Sequence, residues 1–370
     1  MGNNCLLTPF VTGHSLEPVP PARIMPFTPV SLLMTEVVAH LALSLMKYFI
    51  TGGAGFIGSN YVRGLLDGRW GHDVELVTVY DVFTYAGNMR NLDPVINDSR
   101  LSVVRGDICA PDQVRSALPG HDVIVHFAAE SHVDRSIESS SIFMSTNVLG
   151  THQMLESALA VGIPVFVHVS TDEVYGSIEN GSWDEQEPLL PNSPYAASKA
   201  SSDLIARSYH RTHGMDVRIT RCSNNFGTYQ YPEKVIPLFI TNLIEGTKVP
   251  LYGDGLNVRD WLHVDDHCRG IDLVINDGRA GEIYNIGGGT ELSNRELTTL
   301  LLAEFGMSDE MIQPVEDRLG HDRRYSVDWT KINKELGYAP QFSLKTSLAD
   351  IVEWYRTNTD WWHPLKHGNA

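Results

Sequence analysis

The chain has 370 residues, 42% of them apolar and 20% charged, an ordinary globular balance that excludes a largely disordered or collagenous chain. That length exceeds one average domain, falls short of three, and leaves ample material for a hydrophobic core. Twenty-eight basic residues against forty-five acidic ones give a net charge of −17, a field that repels nucleic acid and anionic lipid, so neither nucleic acid nor membrane is an expected partner. Cys5, Cys109, Cys222 and Cys268 are scattered without a Cys-X-X-Cys pair. Neither a disulfide framework nor a thiolate metal site is expected, and a reducing, cytoplasmic compartment is the default.

In chain order, residues 1–29 carry six prolines and no apolar period, which reads as irregular chain. Residues 30–46 are apolar but interrupted by Glu36 and His40, and shorter than the ~20 residues a membrane span needs. No basic stretch or small-residue cleavage site marks a signal peptide. Residues 1–45 are therefore expected to be an extension, disordered or weakly packed, with Met46 a natural start of the folded unit. Strands are expected at Tyr48–Thr51, Leu76–Tyr80, Leu101–Arg105, Val123–Phe127, Val165–Ser170 and Val217–Arg221. Helices are expected at Phe56–Leu66, around Ile142–Ala160 and at Tyr195–His213. Val- and Ile-rich strands alternating with helices indicate a parallel sheet covered on both faces. Beyond Cys222 the regularity weakens, with a strand expected at Glu282–Ile286 and helices at Leu292–Glu304 and Leu344–Arg356. The expected organisation is an α/β doubly wound domain over 46–222, rejoined by 258–286, and a smaller interleaved lobe over 223–370.

The first chemical signal is Thr51-Gly-Gly-Ala-Gly-Phe-Ile-Gly58. Gly52, Gly55 and Gly58 follow a strand and open a helix, the Rossmann-type arrangement in which a pyrophosphate approaches the backbone. Tight turns also use glycine for backbone reasons alone. Asp81, however, ends the next strand 23 residues past Gly58, where a carboxylate accepts hydrogen bonds from an adenosine ribose and repels a 2′-phosphate. NAD rather than NADP is the expected cofactor, with Asp107 and Ile108 as adenine-side contacts.

The second signal is Tyr195-Ala-Ala-Ser-Lys199. Spacing by four puts both side chains on one helix face, where the ammonium favours phenolate and lowers a pKa that starts near ~10. Tyr195 could then act as base toward a sugar hydroxyl. The third is Ser170-Thr-Asp-Glu-Val-Tyr-Gly176, just past the carboxyl end of the fifth strand, where open α/β sheets place ligands. Asp172 and Glu173 would supply an acid and a base, and Thr171 would hydrogen-bond the substrate hydroxyl beside Tyr195.

With these motifs stand Asp81-Val-Phe-Thr-Tyr-Ala-Gly-Asn88, Ala128-Ala-Glu-Ser-His-Val-Asp-Arg-Ser136, Asn224-Asn-Phe-Gly227, Pro232-Glu-Lys234, Asn257-Val-Arg-Asp-Trp261 and Gly320-His-Asp-Arg-Arg324. From about Met46 to the last helix the chain resembles the dTDP-glucose 4,6-dehydratase family of the extended short-chain dehydrogenase/reductases. Thr228 and Leu319 stand where that family is expected to have prolines. The resemblance implies C4 oxidation, C5/C6 elimination and C6 reduction of dTDP-glucose, or a closely related nucleotide sugar, with catalytic NAD. In it Tyr195 takes the C4 hydroxyl proton, Glu173 the C5 proton, and Asp172 protonates the departing C6 hydroxyl, while Lys199 holds the nicotinamide ribose. It further implies cofactor contacts from Phe56, Ile57, Thr84, Ala128, Ala129, Ser131, Thr146 and Asn225. Sugar-nucleotide contacts are implied for Ser131, Thr171, Asn224, Lys234, Pro237, Tyr252, Arg259, Asn294, Arg318 and His321. Of these Arg259 is chemically apt for a diphosphate, since a guanidinium binds phosphate oxygens bidentately. A homodimer through the segments at about 142–160 and 195–213 is implied as well.

Two alternatives differ in the residues they need. Another NAD-dependent nucleotide-sugar epimerase or decarboxylase would not need the paired acids, and a non-catalytic NAD-binding scaffold would not keep tyrosine, lysine and both acids intact. His263-Val-Asp-Asp-His267 has histidines at i and i+4, but no third ligand follows from spacing. It reads as a helix start capped by Asp265, and no metal is expected.

Overall fold

The computed structural model describes residues 45–368, so the expected extension lies outside the described residues apart from Leu45. The strands are β1 (Met46–Thr51), β2 (Val74–Asp81), β3 (Leu101–Arg105), β4 (Val123–His126), β5 (Val165–Thr171), β6 (Val217–Cys222), β7 (Asn224–Phe226), β8 (Val249–Tyr252), β9 (Val258–His263), β10 (Ile283–Ile286), β11 (Glu291–Ser293) and β12 (Ile312–Val315). Seven of them form one sheet in the order β10-β6-β5-β4-β1-β2-β3, every neighbouring pair parallel. The chain leaves the sheet after β6, crosses the second lobe, and returns as β10 at the edge. Strand order reverses at β1, and the crevice outside its carboxyl end is where a doubly wound sheet binds ligand.

Both faces of the sheet are covered, as in parallel sheets generally. On one face the helix Phe56–Leu66 packs beside Val264–Asp277, joined by Asn60 Nδ2 to Asp265 Oδ1 at 2.8 Å and Tyr61 OH to Asp272 Oδ1 at 3.0 Å. On the other, Met154, Leu155, Ala206 and Tyr209 of the helices Thr151–Val161 and Pro194–His213 cover Phe49, Ile124 and Phe166. The second lobe has its own core, in which Phe226, Phe239, Leu301, Leu348, Tyr355 and Trp362 are buried together. Here β9 lies between β7 and β11, so its sequence neighbour β10 joins a different sheet.

Several elements differ from the sequence reading, among them the helix expected at Leu292–Glu304, whose first two residues belong to β11, and three more bear on the site or the chain's end. The helix expected around Ile142–Ala160 is interrupted by a π-helical segment, Met144–Gly150, between Ser141–Phe143 and Thr151–Val161. Its widened turns aim Asn147 at the loop after β4: the side chain donates to Glu130 O (2.9 Å) and Ser198 Oγ (2.8 Å) and accepts from Glu130 N (2.8 Å). The cap of the helix Val264–Asp277 is His263, whose Nδ1 accepts from Asp265 N at 3.2 Å; Asp265 sits inside the first turn. A further helix, Thr359–His367, closes the chain. Pro364 inside it and the short gap after Thr357 hid it from a reading by periodicity.

Candidate active site

The turn after β1 is shaped by two glycines. Gly52 has φ +66°, and a Cβ there would lie 2.7 Å from Ala128 N; at Gly58 it would lie 2.3 Å from Gly52 O. The bare backbone leaves a cradle that side chains would fill, at the N-terminus of the helix Phe56–Leu66, which suits a pyrophosphate. Asp81, at the end of β2, is buried and accepts from Ala54 N (3.0 Å) and Phe83 N (2.8 Å). It therefore braces the two loops it separates while lining the cleft. Burial raises its pKa against those two backbone bonds. Every residue expected on the cofactor side, from Gly52 to Asn225, lines one cleft of about 400 Å³. The shape and chemistry of this lining fit NAD.

The same cleft holds Thr171, Asp172, Glu173, Tyr195 and Lys199. The first three stand at the carboxyl end of β5, where Thr171 Oγ1 donates to Asp172 Oδ1 and accepts from Glu173 N, both at 3.3 Å. The last two lie one turn apart on the helix Pro194–His213, whose start is fixed by Ser193 Oγ accepting from Ala196 N at 3.1 Å. Lys199 Nζ donates to Val169 O of β5 at 2.8 Å, and burial lowers the lysine to about 8 against the opposing charge of Asp203.

The two acids sit in unlike fields. Asp172 is pushed well above the usual carboxylate range, first by burial, then by Glu173 and Asp260. Glu173 is also raised by burial, but Arg318, Arg259 and Lys234 pull it back. Burial thus raises both carboxyl groups, and the three cations together offset it only at Glu173. Tyr195 departs from expectation. Its phenol is pushed well above its ordinary value by burial, Glu173, Cys222 and Asp172. The Lys199 ammonium is turned to the β5 carbonyl.

On the substrate side, Ser131, Thr171, Asn224 and Lys234 line the cleft, and Lys234 Nζ donates to Ser131 O at 2.7 Å. Arg259, Arg318, His321 and Tyr252 do not line it, although Arg259 and Arg318 are close enough to lower the pKa of Glu173. Arg259 Nη2 donates to Asp322 O (2.9 Å), Arg318 Nη1 lies 3.6 Å from Asp134 Oδ1, and His321 Nδ1 lies 2.6 Å from Asp317 Oδ1. The Tyr252 and His321 rings meet edge to face at 6.5 Å. Asp172 Oδ2, Asn224 Oδ1 and Arg318 Nε are buried without a hydrogen-bond partner, a condition that a polar ligand would relieve. Pro237 and Asn294 are not brought to the cleft. Pro237 is buried in the helix Val235–Ile244, and Asn294 begins the helix Asn294–Glu304, its N–H bonded to Asn257 O.

Glu130, Tyr229, Tyr231, Glu233, Trp361 and Leu365 also line the cleft and were not picked out from sequence. Glu130 and Glu233 lay inside motifs quoted above, so position along those motifs was a usable signal. Trp361 and Leu365 arrive from the C-terminal helix by tertiary packing alone. The histidines at 263 and 267 do not converge on a metal: the His263 ring packs on Phe342 at 4.6 Å, and His267 Nδ1 meets Asn225 Oδ1 at 2.9 Å. Burial lowers His267 to about 3, so a neutral imidazole steadies a cleft residue.

Residues 49–351 match the family model described as GDP-mannose 4,6 dehydratase. A dTDP-glucose 4,6-dehydratase of Streptomyces antibioticus is 58% identical over 323 residues, which is 87% of this chain and 96% of that protein. The crystal structure of the Streptomyces venezuelae dTDP-glucose 4,6-dehydratase with NAD and TYD bound is 60% identical, with a TM-score of 0.86 over 86% of this chain and all of that one. The Bacillus anthracis dTDP-glucose 4,6-dehydratase, in complex with NAD, is 44% identical with a TM-score of 0.80, covering 86% and 99%. Identities of 44–60% over more than four fifths of the chain make it a member of the dTDP-glucose 4,6-dehydratase family.

Proposed function

We propose that the protein converts dTDP-glucose to dTDP-4-keto-6-deoxyglucose and water. The observation that carries this reading is the adjacent pair Asp172–Glu173 facing the same cleft as Tyr195 and Lys199, since an epimerase needs no acid–base pair for elimination. When bound, NAD would supply the chemistry the side chains lack, a hydride acceptor for C4 and a hydride donor for C6, the latter matched by a proton returned to C5. Thr171 and Tyr195 hold the C4 hydroxyl, and Tyr195 takes its proton. The C4 ketone acidifies C5–H, which Glu173 removes. Asp172, kept protonated by burial and by Glu173, gives its proton to the departing C6 hydroxyl, so water leaves. Lys199 fixes the nicotinamide ribose, and Arg259 and Arg318 neutralise the diphosphate.

Incubation with dTDP-glucose should yield a product lighter by one water, with no build-up of reduced nicotinamide during steady turnover. An unchanged mass, or stoichiometric reduced cofactor, would overturn the reading. Two copies pair through the segment 142–160 and the helix Pro194–His213, a reading supported by exposed Leu149 and Leu204 on these elements. The expected compartment is the cytoplasm, supported by free Cys109, Cys222 and Cys268. Among the described residues no helix is long and apolar enough to cross a membrane.

A further inference from the structure

We propose that Glu245, His363 and His367 form a surface site for one divalent cation of borderline softness, Zn²⁺ foremost, which fastens the C-terminal helix to the end of the helix Val235–Ile244. His363 and His367 are one turn apart on Thr359–His367 and so share a face; their ring centroids are 4.5 Å apart. Glu245 is the C-cap residue of Val235–Ile244. One donor atom from each of the three lies within 4.8 Å of the others, close enough for a single ion to draw them in. Two imidazoles and a carboxylate are a donor set that Zn²⁺ takes with water in the fourth position.

Three further features favour a cation here. The site lies at the carboxyl ends of two helices, where unsatisfied carbonyls make the potential negative. Against burial, Lys366 and His367 hold the Glu245 carboxyl below its ordinary pKa. Its two oxygens are also divided: Oε2 is held by Lys366 Nζ at 2.7 Å, an ammonium anchored in turn on Asn242 Oδ1, while Oε1 faces His367 Nε2 at 2.7 Å. The Lys366 contact orients the carboxylate as an outer-sphere partner does.

The position gives the ion a consequence. The same helix presents Trp361 and Leu365 to the cofactor cleft, with Trp361 Nε1 donating to Asn91 Oδ1 at 2.9 Å and Tyr231 OH to Leu365 O at 3.3 Å. A cation between this helix and Val235–Ile244 would pin one wall of the cleft.

The test uses the full, tag-free chain stripped of metal, titrated calorimetrically with Zn²⁺ and by visible absorption with Co²⁺. One equivalent should bind, with slower hydrogen exchange of backbone amides at 359–367. His363→Gln leaves the His367–Glu245 contact intact and removes one donor, and Glu245→Gln removes the carboxylate. Each should weaken binding by at least roughly tenfold and abolish the exchange protection, while NAD content stays unchanged. No stoichiometric binding would overturn the proposal. So would binding that both variants retain at full strength.

Discussion

At the residue scale the proposed mechanism divides the labour between Asp172 and Glu173. Asp172→Asn removes the proton donor for the C6 hydroxyl, and Glu173→Gln removes the base for C5–H; each should slow turnover by roughly 10²–10⁴. Solvent exchange separates them. With deuterated water, C5–H exchange should survive in Asp172→Asn and nearly vanish in Glu173→Gln, and exchange at the wild-type rate in Glu173→Gln would refute the assignment. Tyr195→Phe should instead block all steps. Lys199 sets a pH limit. Burial lowers it from 10.5 to about 8, so the ammonium is present below about 8 and lost above, and kcat/KM should fall as pH rises through that value. Lys199→Arg keeps its charge throughout, and any activity it retains should persist to higher pH. Stability runs the other way. Between about 8 and 10.5 the unfolded chain binds more protons at this lysine than the folded one, so its contribution to stability grows with pH.

The element that most constrains the site is the turn between β1 and the helix Phe56–Leu66. A methyl at Gly58 would meet Gly52 O at 2.3 Å, backbone against backbone, so the helix start must shift away from the strand. Gly58→Ala should destabilise by about 1–3 kcal/mol, the usual range for overpacking, and release NAD. A urea midpoint and the cofactor content of purified protein would measure both, and unchanged values would show that the close approach is not required. The π-helical segment Met144–Gly150 works in the opposite sense. It adds room within a turn, which lets Asn147 hold the Glu130 backbone from both sides. No apolar period announces such a turn, because the pattern of buried positions on either side still reads as one helix.

Across the whole molecule, the chain passes between the seven-stranded sheet and a second apolar core with smaller sheets, returning to the first as β10. The face carrying Leu149, 60% exposed, and Leu204, 56% exposed, is the one expected to meet a second copy. Leu149→Arg with Leu204→Arg should convert a dimer to monomer in sedimentation, since a charge at the centre of an apolar contact must be desolvated without a partner. If sedimentation leaves the assembly unchanged, the pairing face lies elsewhere.

The sequence by itself determined the parallel sheet, the glycine turn, Asp81, the acid pair and the Tyr195–Lys199 spacing. Each of these is local: a period of two or 3.6, a turn needing bare backbone, a pair one helical turn apart. The tertiary structure decided what long-range packing alone can bring together. Glu173 owes its restrained pKa to Arg259 and Arg318, far along the chain. Trp361 and Leu365 reach the cleft from the last helix, and Pro237, close to Lys234 in sequence, turns into the second core instead. The field around Tyr195 is the clearest case. Spacing to Lys199 suggested a lowered phenol, but burial and neighbouring carboxylates raise it, because a pKa follows the sum of surrounding charges and lost water rather than one neighbour.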